Sequence, residues 1–211
     1  MRGVLTVLFF CYGFLCVAQD QDWNDYRRKT ESFSRIYDKS IRADLATFTI
    51  GGIEESLAQP PLKRLPAVQY GSDFIVFDSA NIRVTIRSAV FLPTRHKLAF
   101  EAKHLVKIDG KPFYGNYGMM PNTGIGAVTL LFGKDTVQVP PTALADLFNP
   151  GFTYRDASGN ISSQDAVYLS ADKRTVYVYM LNKDETGSYE VTWIIQDKKF
   201  LRRVLDWGFS K

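Results

Sequence analysis

The chain has 211 residues, with 26 Lys and Arg against 22 Asp and Glu, a formal net charge of +4 and 45% hydrophobic residues. That length supports one sizeable core and is short for two full domains. The charge is too mild, and too scattered over short runs such as Arg27-Arg28-Lys29, Lys198-Lys199 and Arg202-Arg203, for the concentrated basic face of a nucleic-acid binder.

Residues 1–18 read as a signal peptide: Arg2 gives a positive start, residues 3–15 an apolar core, and Cys16-Val17-Ala18 a small-residue cleavage site. The apolar run is too short for a membrane span and meets Gln19-Asp-Gln-Asp22 at once. Phe14-Leu15 before Cys16 and Phe9-Phe10 before Cys11 argue against acylation as a lipoprotein. Cleavage at Ala18 removes both cysteines, leaving a single domain over 19–211 without disulfides, secreted or periplasmic.

Residues 22–48 predict one long amphipathic helix, with Trp23, Tyr26, Phe33, Tyr37, Ile41, Leu45 and Phe48 on one face and Ile36 widening the stripe. Gly51-Gly52 ends it. Residues 52–71 form a connector, where Pro60-Pro61 and Pro66 oppose regular structure. The chain then turns to β: a hairpin of 74–77 with 82–92, whose second strand alternates Ile82, Val84, Ile86 with Arg83, Thr85, Arg87. Strands at 98–102 and 105–108 follow, and Asp109-Gly110 signals a tight turn into 111–114.

Residues 115–126 are the most irregular. A hairpin of 127–132 with 136–139, a short helix at 142–148 and a polar, turn-like stretch at 156–165 come next. Strands at 167–169, 176–181, 189–196 and 200–207 form a closing meander of sequential antiparallel neighbours. In its last hairpin Asp197-Lys198 is the turn, although Lys198 suits a position needing φ > 0 poorly and suggests a looser connection. A two-residue turn would set Trp193 against Arg202 and Tyr189 against Asp206, so that Glu190 points away from Asp206. The fold expected is α+β, an N-terminal amphipathic helix on a curved, mainly antiparallel sheet. The alternative is an all-β sandwich or barrel with the helix as an appendage.

No G-x-S-x-G, H-E-x-x-H, Walker A or complete G-x-G-x-x-G pattern occurs. Gly124-Ile-Gly126 starts like the last, but Thr129 stands at the third glycine. His96 and His104 lie roughly 26 Å apart along an extended chain at about 3.3 Å per residue, too far to share a metal unless the chain folds back. The register separates Glu190 from Asp206, against a retaining carboxylate pair. Asp156-Ala-Ser-Gly-Asn160 has the flavour of a calcium loop, but Ile161 replaces the required glycine and no closing glutamate follows. No catalytic residue, metal site or cofactor is therefore assigned.

The best binding candidate is the 111–126 segment, with Phe113, Tyr114, Tyr117, Met119 and Met120 set among glycines and asparagines. Exposed aromatics there would stack on sugar rings or anchor a protein, and methionine adapts to apolar surfaces. The same side chains folded inward would form a lid on the sheet end.

Tyr189-Glu-Val-Thr-Trp-Ile-Ile-Gln196, Leu201-Arg-Arg-Val204 and Asp206-Trp-Gly-Phe209, together with Leu105-Val-Lys-Ile-Asp-Gly-Lys-Pro-Phe113, resemble a family of uncharacterised secreted bacterial proteins over the C-terminal half. Lys198 departs from the glycine expected in such a hairpin. The resemblance implies an envelope location and no activity. The expected function is a non-enzymatic envelope or secreted binding protein, its partner an envelope protein or a glycan, with no nucleic acid and no membrane span. The alternative is a glycan- or peptide-directed hydrolase using carboxylates not clustered in sequence.

Overall fold

The computed structural model describes residues 35–48, 62–79, 81–183 and 187–207. The expected signal peptide, Trp23, Tyr26, Phe33 and Gly51-Gly52 lie outside these. The helix α1 spans Lys39–Phe48. The strands, in chain order, are β1 (Lys63–Leu65), β2 (Ala67–Tyr70), β3 (Phe74–Ser79), β4 (Ile82–Val90), β5 (Leu98–Glu101), β6 (His104–Ile108), β7 (Thr123–Phe132) and β8 (Asp135–Gln138). After them come β9 (Tyr154–Arg155), β10 (Ile161–Ser162), β11 (Ala166–Leu169), β12 (Thr175–Asn182), β13 (Tyr189–Gln196) and β14 (Lys199–Trp207).

Every strand pair is antiparallel, and the larger sheets, ordered β1-β11-β12-β13-β14 and β2-β3-β4-β7-β8, do not close into a barrel among the described residues. The expectation of a sheet-rich antiparallel fold with a helix is met, but the strands divide between two five-stranded sheets. The closing meander forms as expected, in sequential order. The connector is wrong in one respect: β1 and β2 flank Pro66, which lies at the corner where the chain leaves one sheet for the other. Pro66 has no N–H to offer a ladder, and its carbonyl accepts the Asp78 N–H at 3.1 Å instead.

Side chains from both sheets meet in one buried cluster, including Ile75, Phe77, Val84, Ile86 and Leu130 from the second sheet and Val176, Val178, Val191, Trp193 and Leu205 from the first. The opposite face of the first sheet carries Tyr168, Tyr177, Tyr179, Ile194 and Val204, which pack with Ile36, Ile41 and Leu45 from α1 and the residues leading into it. Because that sheet is covered on both faces, β12 is buried at every position. This explains why its sequence reads as an unbroken β-branched and aromatic run rather than an alternation. Burying Ile36, Ile41 and Leu45 contributes on the order of 1.5–3 kcal/mol each.

The helix is shorter than expected. Arg35 to Asp38 are not helical, and Tyr37, expected on the buried stripe, is 94% exposed. The start is set by Asp38, whose Oδ1 accepts the Ser40 N–H at 2.8 Å and the Ile41 N–H at 3.3 Å, a capping arrangement that stops the helix there. The Ser40 hydroxyl, which also donates to it, is the main cause holding the Asp38 carboxyl below its ordinary range. At 142–148 only a 3₁₀ turn forms, Pro141–Ala143. The residues after it spend their backbone groups elsewhere: Tyr114 N–H donates to the Asp146 carbonyl and Ile125 N–H to the Leu147 carbonyl.

The terminal hairpin corrects two expectations. Its turn is tight, with Gln196 paired to Lys199 and both Asp197 (φ 49°) and Lys198 (φ 59°) left-handed. The unfavourable φ is held from outside: Arg174 forks onto Asp197 at 2.9 and 2.7 Å, and Lys198 Nζ lies 2.7 Å from Asp135 Oδ2. The register then slips by one between Ile194 and Ile195, where Leu201 bulges out. A one-residue slip changes the face of everything beyond it. Trp193 therefore opposes Arg203, not Arg202, and Glu190 opposes Asp206 directly.

That slip places Arg203 between the sheets. Its guanidinium grips both Asp146 oxygens, Nη1 at 2.5 Å and Nη2 at 2.9 Å, and Nη1 also donates to the Ala143 carbonyl, which the Trp193 indole N–H shares at 3.1 Å. Arg203 and Asp146 are 4% and 5% exposed. Arg203→Met is expected to cost about 3–5 kcal/mol, since it leaves a buried carboxylate unpaired. The double variant Arg203→Met with Asp146→Leu should recover much of that loss. Urea denaturation of the three proteins checks this; losses that simply add would rule out coupling.

Candidate functional site

The 111–126 segment begins at a tight turn. Asp109 (φ 53°) and Gly110 (φ 79°) are both left-handed, and Ile108 and Lys111 exchange backbone hydrogen bonds at 3.0 Å. The expected strand at 111–114 is reduced to that bridge and to a parallel one, Tyr114 with Leu147. Conversely, Thr123 to Gly126, read as irregular, already belong to β7. Gly126 is the extra residue at the β4–β7 register shift, and a Cβ there would come within 2.8 Å of the Ala89 Cβ. Glycine is needed for close approach at a bulge rather than for a loop.

The five candidate residues separate into two groups. Phe113 and Tyr114 are buried, at 3% and 6% exposure. Phe113 meets Phe148 edge-on at 5.8 Å, within a small cluster with Phe91, Leu105 and Ile108, and Tyr114 joins the main core beside Trp207. Tyr117, Met119 and Met120 remain exposed, at 47%, 58% and 39%. Tyr117 keeps one face on Phe113, the rings stacked at 5.7 Å.

The exposed side chains stand on fixed backbone. The Gly115 N–H donates to the Gly187 carbonyl at 3.0 Å, Met119 N–H closes a turn onto Asn116, and the Gly118 carbonyl accepts from Leu105. Gly115 has φ 91° and an added Cβ would overlap the Phe148 carbonyl; one on Gly187 would sit 2.8 Å from the Tyr117 nitrogen. Phe100, 51% exposed, lies on the hairpin that Gly118 bridges, and Val90, 74% exposed, pairs with Thr123 just beyond Met120. Arg95, Lys97, Lys103, Lys107 and Lys111, with Glu101 and Asp109, are also exposed in the 95–111 stretch that precedes the segment. The segment and the strands beside it thus carry both exposed apolar and exposed basic side chains.

The titratable groups considered from sequence fall as follows. His96 Nδ1 lies 2.7 Å from Asp109 Oδ2, and its ring stacks on Phe91 at 4.6 Å; this hydrogen bond is the main cause lowering the Asp109 carboxyl. His104 sits against Gly118. Among the described residues, no three His, Cys, Asp or Glu side chains group as metal ligands. Asp156 Oδ1 accepts the Ser158 and Asn160 N–H groups, both at 2.9 Å, closing the β9–β10 hairpin as a polar turn. Glu190 and Asp206 are neighbours, contrary to the expected register. Glu190 is buried and its Oε2 accepts the Tyr179 hydroxyl at 2.8 Å.

Asp165 closes the polar 156–165 stretch. It is 1% exposed; its Oδ1 accepts the Leu181 N–H at 3.2 Å, while Oδ2 is buried without a hydrogen-bonding partner. It lines an open cleft of about 390 Å³, with Leu65, Pro66, Phe77, Ser162 and Ser163. Burial pushes its carboxyl well above the ordinary carboxylate range, opposed by the Leu181 N–H. The sequence clue was a carboxylate placed directly before an all-buried strand.

No protein-family model matches the chain, and no curated protein or solved structure shows significant similarity to it.

Gly187→Ala forces two backbone segments apart and is expected to cost about 1–3 kcal/mol, with amide NMR shifts concentrated at 115–118; unchanged shifts there would show that the contact does not hold the loop. Asp165, whose folded-state carboxyl is raised, contributes stability that is full below 3.8, its ordinary value. This contribution is lost as pH rises towards the folded value, because the unfolded state releases its proton first. Asp165→Asn should flatten that decline in denaturation midpoints measured across the acidic to neutral range; a parallel curve would rule it out.

Proposed function

We propose that the protein is a non-enzymatic binding protein of the bacterial envelope or of a secreted fraction, engaging a partner through Tyr117, Met119, Met120 and the neighbouring Phe100. Its signal-like first eighteen residues and the resemblance of its C-terminal half to uncharacterised secreted bacterial proteins support the location. The reading keeps the α+β class, with the helix on a curved sheet as a rigid frame. One observation carries the function: within a single short segment, Phe113 and Tyr114 are buried while Tyr117, Met119 and Met120 stay exposed, on backbone anchored by the Met119 N–H to Asn116 and the Leu105 N–H to Gly118. The fold does not need those three side chains outside, and a pre-ordered aromatic and methionine surface binds with little ordering cost. The exposed basic residues of the 95–111 stretch favour an acidic protein or an anionic glycan.

A second reading, a carboxylate-pair hydrolase, is favoured by Glu190 and Asp206 standing opposite one another on adjacent strands. The burial of Glu190 and its bond to the Tyr179 hydroxyl weigh against it.

The mature protein captured from envelope and secreted extracts, beside Tyr117→Ala/Met119→Ala, separates the two. The binding reading expects a specific partner lost from the variant, with affinity reduced by at least about 2 kcal/mol and weakened by salt. A partner set unchanged by the substitutions, or turnover of a glycan or peptide that Glu190→Gln abolishes, would overturn it.

A further inference from the structure

We propose that the β5–β6 hairpin binds an anionic glycan beside the 117–120 surface, and that acid strengthens this binding through the chain's two histidines. The inference rests on the binding reading above and gives it a partner and a control. The 95–111 stretch carries Arg95, Lys97, Lys103, Lys107 and Lys111 against Glu101 and Asp109, all of them exposed. With its histidines neutral this stretch alone is +3, where the whole chain is +4. The hairpin is joined to the 117–120 surface by the Leu105 N–H, which donates to the Gly118 carbonyl at 3.1 Å.

Each of the two histidines is matched to one of the two carboxylates of this stretch. His96 Nδ1 lies 2.7 Å from Asp109 Oδ2, and His104 stands directly opposite Glu101. Ala99 and Glu101 fall on one face of β5, so their partners Lys107 and His104 share it. The charges next to His96 are Asp109, Arg95 and Lys97; those next to His104 are Glu101 and Lys103, with uncharged Gly118 on its other side. Histidine ordinarily titrates at about 6.5. Above that value Glu101 and Asp109 offset two of the five basic charges. Below it each carboxylate is neutralised by its own histidine, and the five are left uncompensated. The Asp109 carboxyl, held below its ordinary range chiefly by the His96 hydrogen bond, stays ionised throughout. Phe100 on the hairpin and Tyr117 beyond it, 51% and 47% exposed, offer ring faces on which a sugar can stack. Fixed anionic groups on sugar rings suit this mixture better than an acidic peptide does.

The test is calorimetric titration with dextran sulfate, whose sulfates keep their charge throughout, at about pH 5.5 and about pH 7.5, either side of the ordinary histidine value. Neutral dextran and polyaspartate are titrated alongside. Dextran sulfate is expected to bind about fivefold or more tightly at the lower pH, and neutral dextran far more weakly at both. His96→Gln/His104→Gln should remove the pH dependence, whereas Lys97→Gln/Lys107→Gln should weaken binding at both pH values and keep it. Affinity that does not change with pH, a dependence that survives in the histidine variant, no binding at either pH, or tighter binding of polyaspartate would each overturn the proposal. None of these removes the 117–120 surface, whose own failure shows as a captured partner set unchanged by Tyr117→Ala/Met119→Ala. Should the double histidine variant fail to fold, His104→Gln alone, at an exposed position, must still reduce the dependence, and the wild-type comparison stands without either.

Discussion

The structure depends on an arginine that should not be where it is. Arg203 lies on the inner face of the first sheet, and a guanidinium taken out of water costs several kcal/mol unless its donors are met. Asp146 and the Ala143 carbonyl meet them, and Trp193 shares that carbonyl. The pair fixes the segment after Pro141 to the floor of the sandwich. From there the bonds run outward: the Asp146 carbonyl holds the Tyr114 N–H, Phe148 N–H returns to the Tyr114 carbonyl, and Asn149 binds the start of β7 through its side chain. The exposed residues at 117–120 are thus suspended from a buried ion pair by successive backbone contacts.

One bulge makes this possible. Without Leu201 unpaired, Arg203 would face the helix layer and Arg202 the core, which is the pattern expected from an unbroken two-residue hairpin. The sequence carried the longer strands, the sequential order of the closing meander and the alternation of β4, because each is written in a period that local chemistry sets. It did not carry the bulge, since neither Phe200 nor Leu201 differs from an ordinary strand residue. Lys198 gave the opposite hint: its poor fit to a left-handed turn suggested a looser loop, whereas Arg174 and Asp135, both distant in sequence, hold the tight one in place. Short edge strands beside prolines and a helix trimmed to its Asp38 cap were missed for the same reason, because tertiary partners decided them.

For the site, composition located the segment but not its orientation. Phe113 and Tyr117 look alike in sequence, yet one is buried against Phe148 and the other stacks on its outer side. The difference is set by Phe91, Leu105, Ile108 and Phe148, from elements up to tens of residues away. Asp165 was harder still. A carboxylate at the end of a polar stretch normally reaches water, whereas here it turns inward to accept the Leu181 N–H from β12.

These two features obey opposite economies. At 117–120, apolar side chains are left in water although the small cluster beneath them could be extended; at Asp165, a polar oxygen is left out of water although a turn residue there could easily be exposed. Each forfeits stability that a fold selected for stability alone would have kept. Single bonds hold each place: the Leu105 N–H to the Gly118 carbonyl at the first, the Leu181 N–H to Asp165 Oδ1 at the second. The doubly covered sheet and the buried Arg203–Asp146 pair supply the stability against which both costs are set.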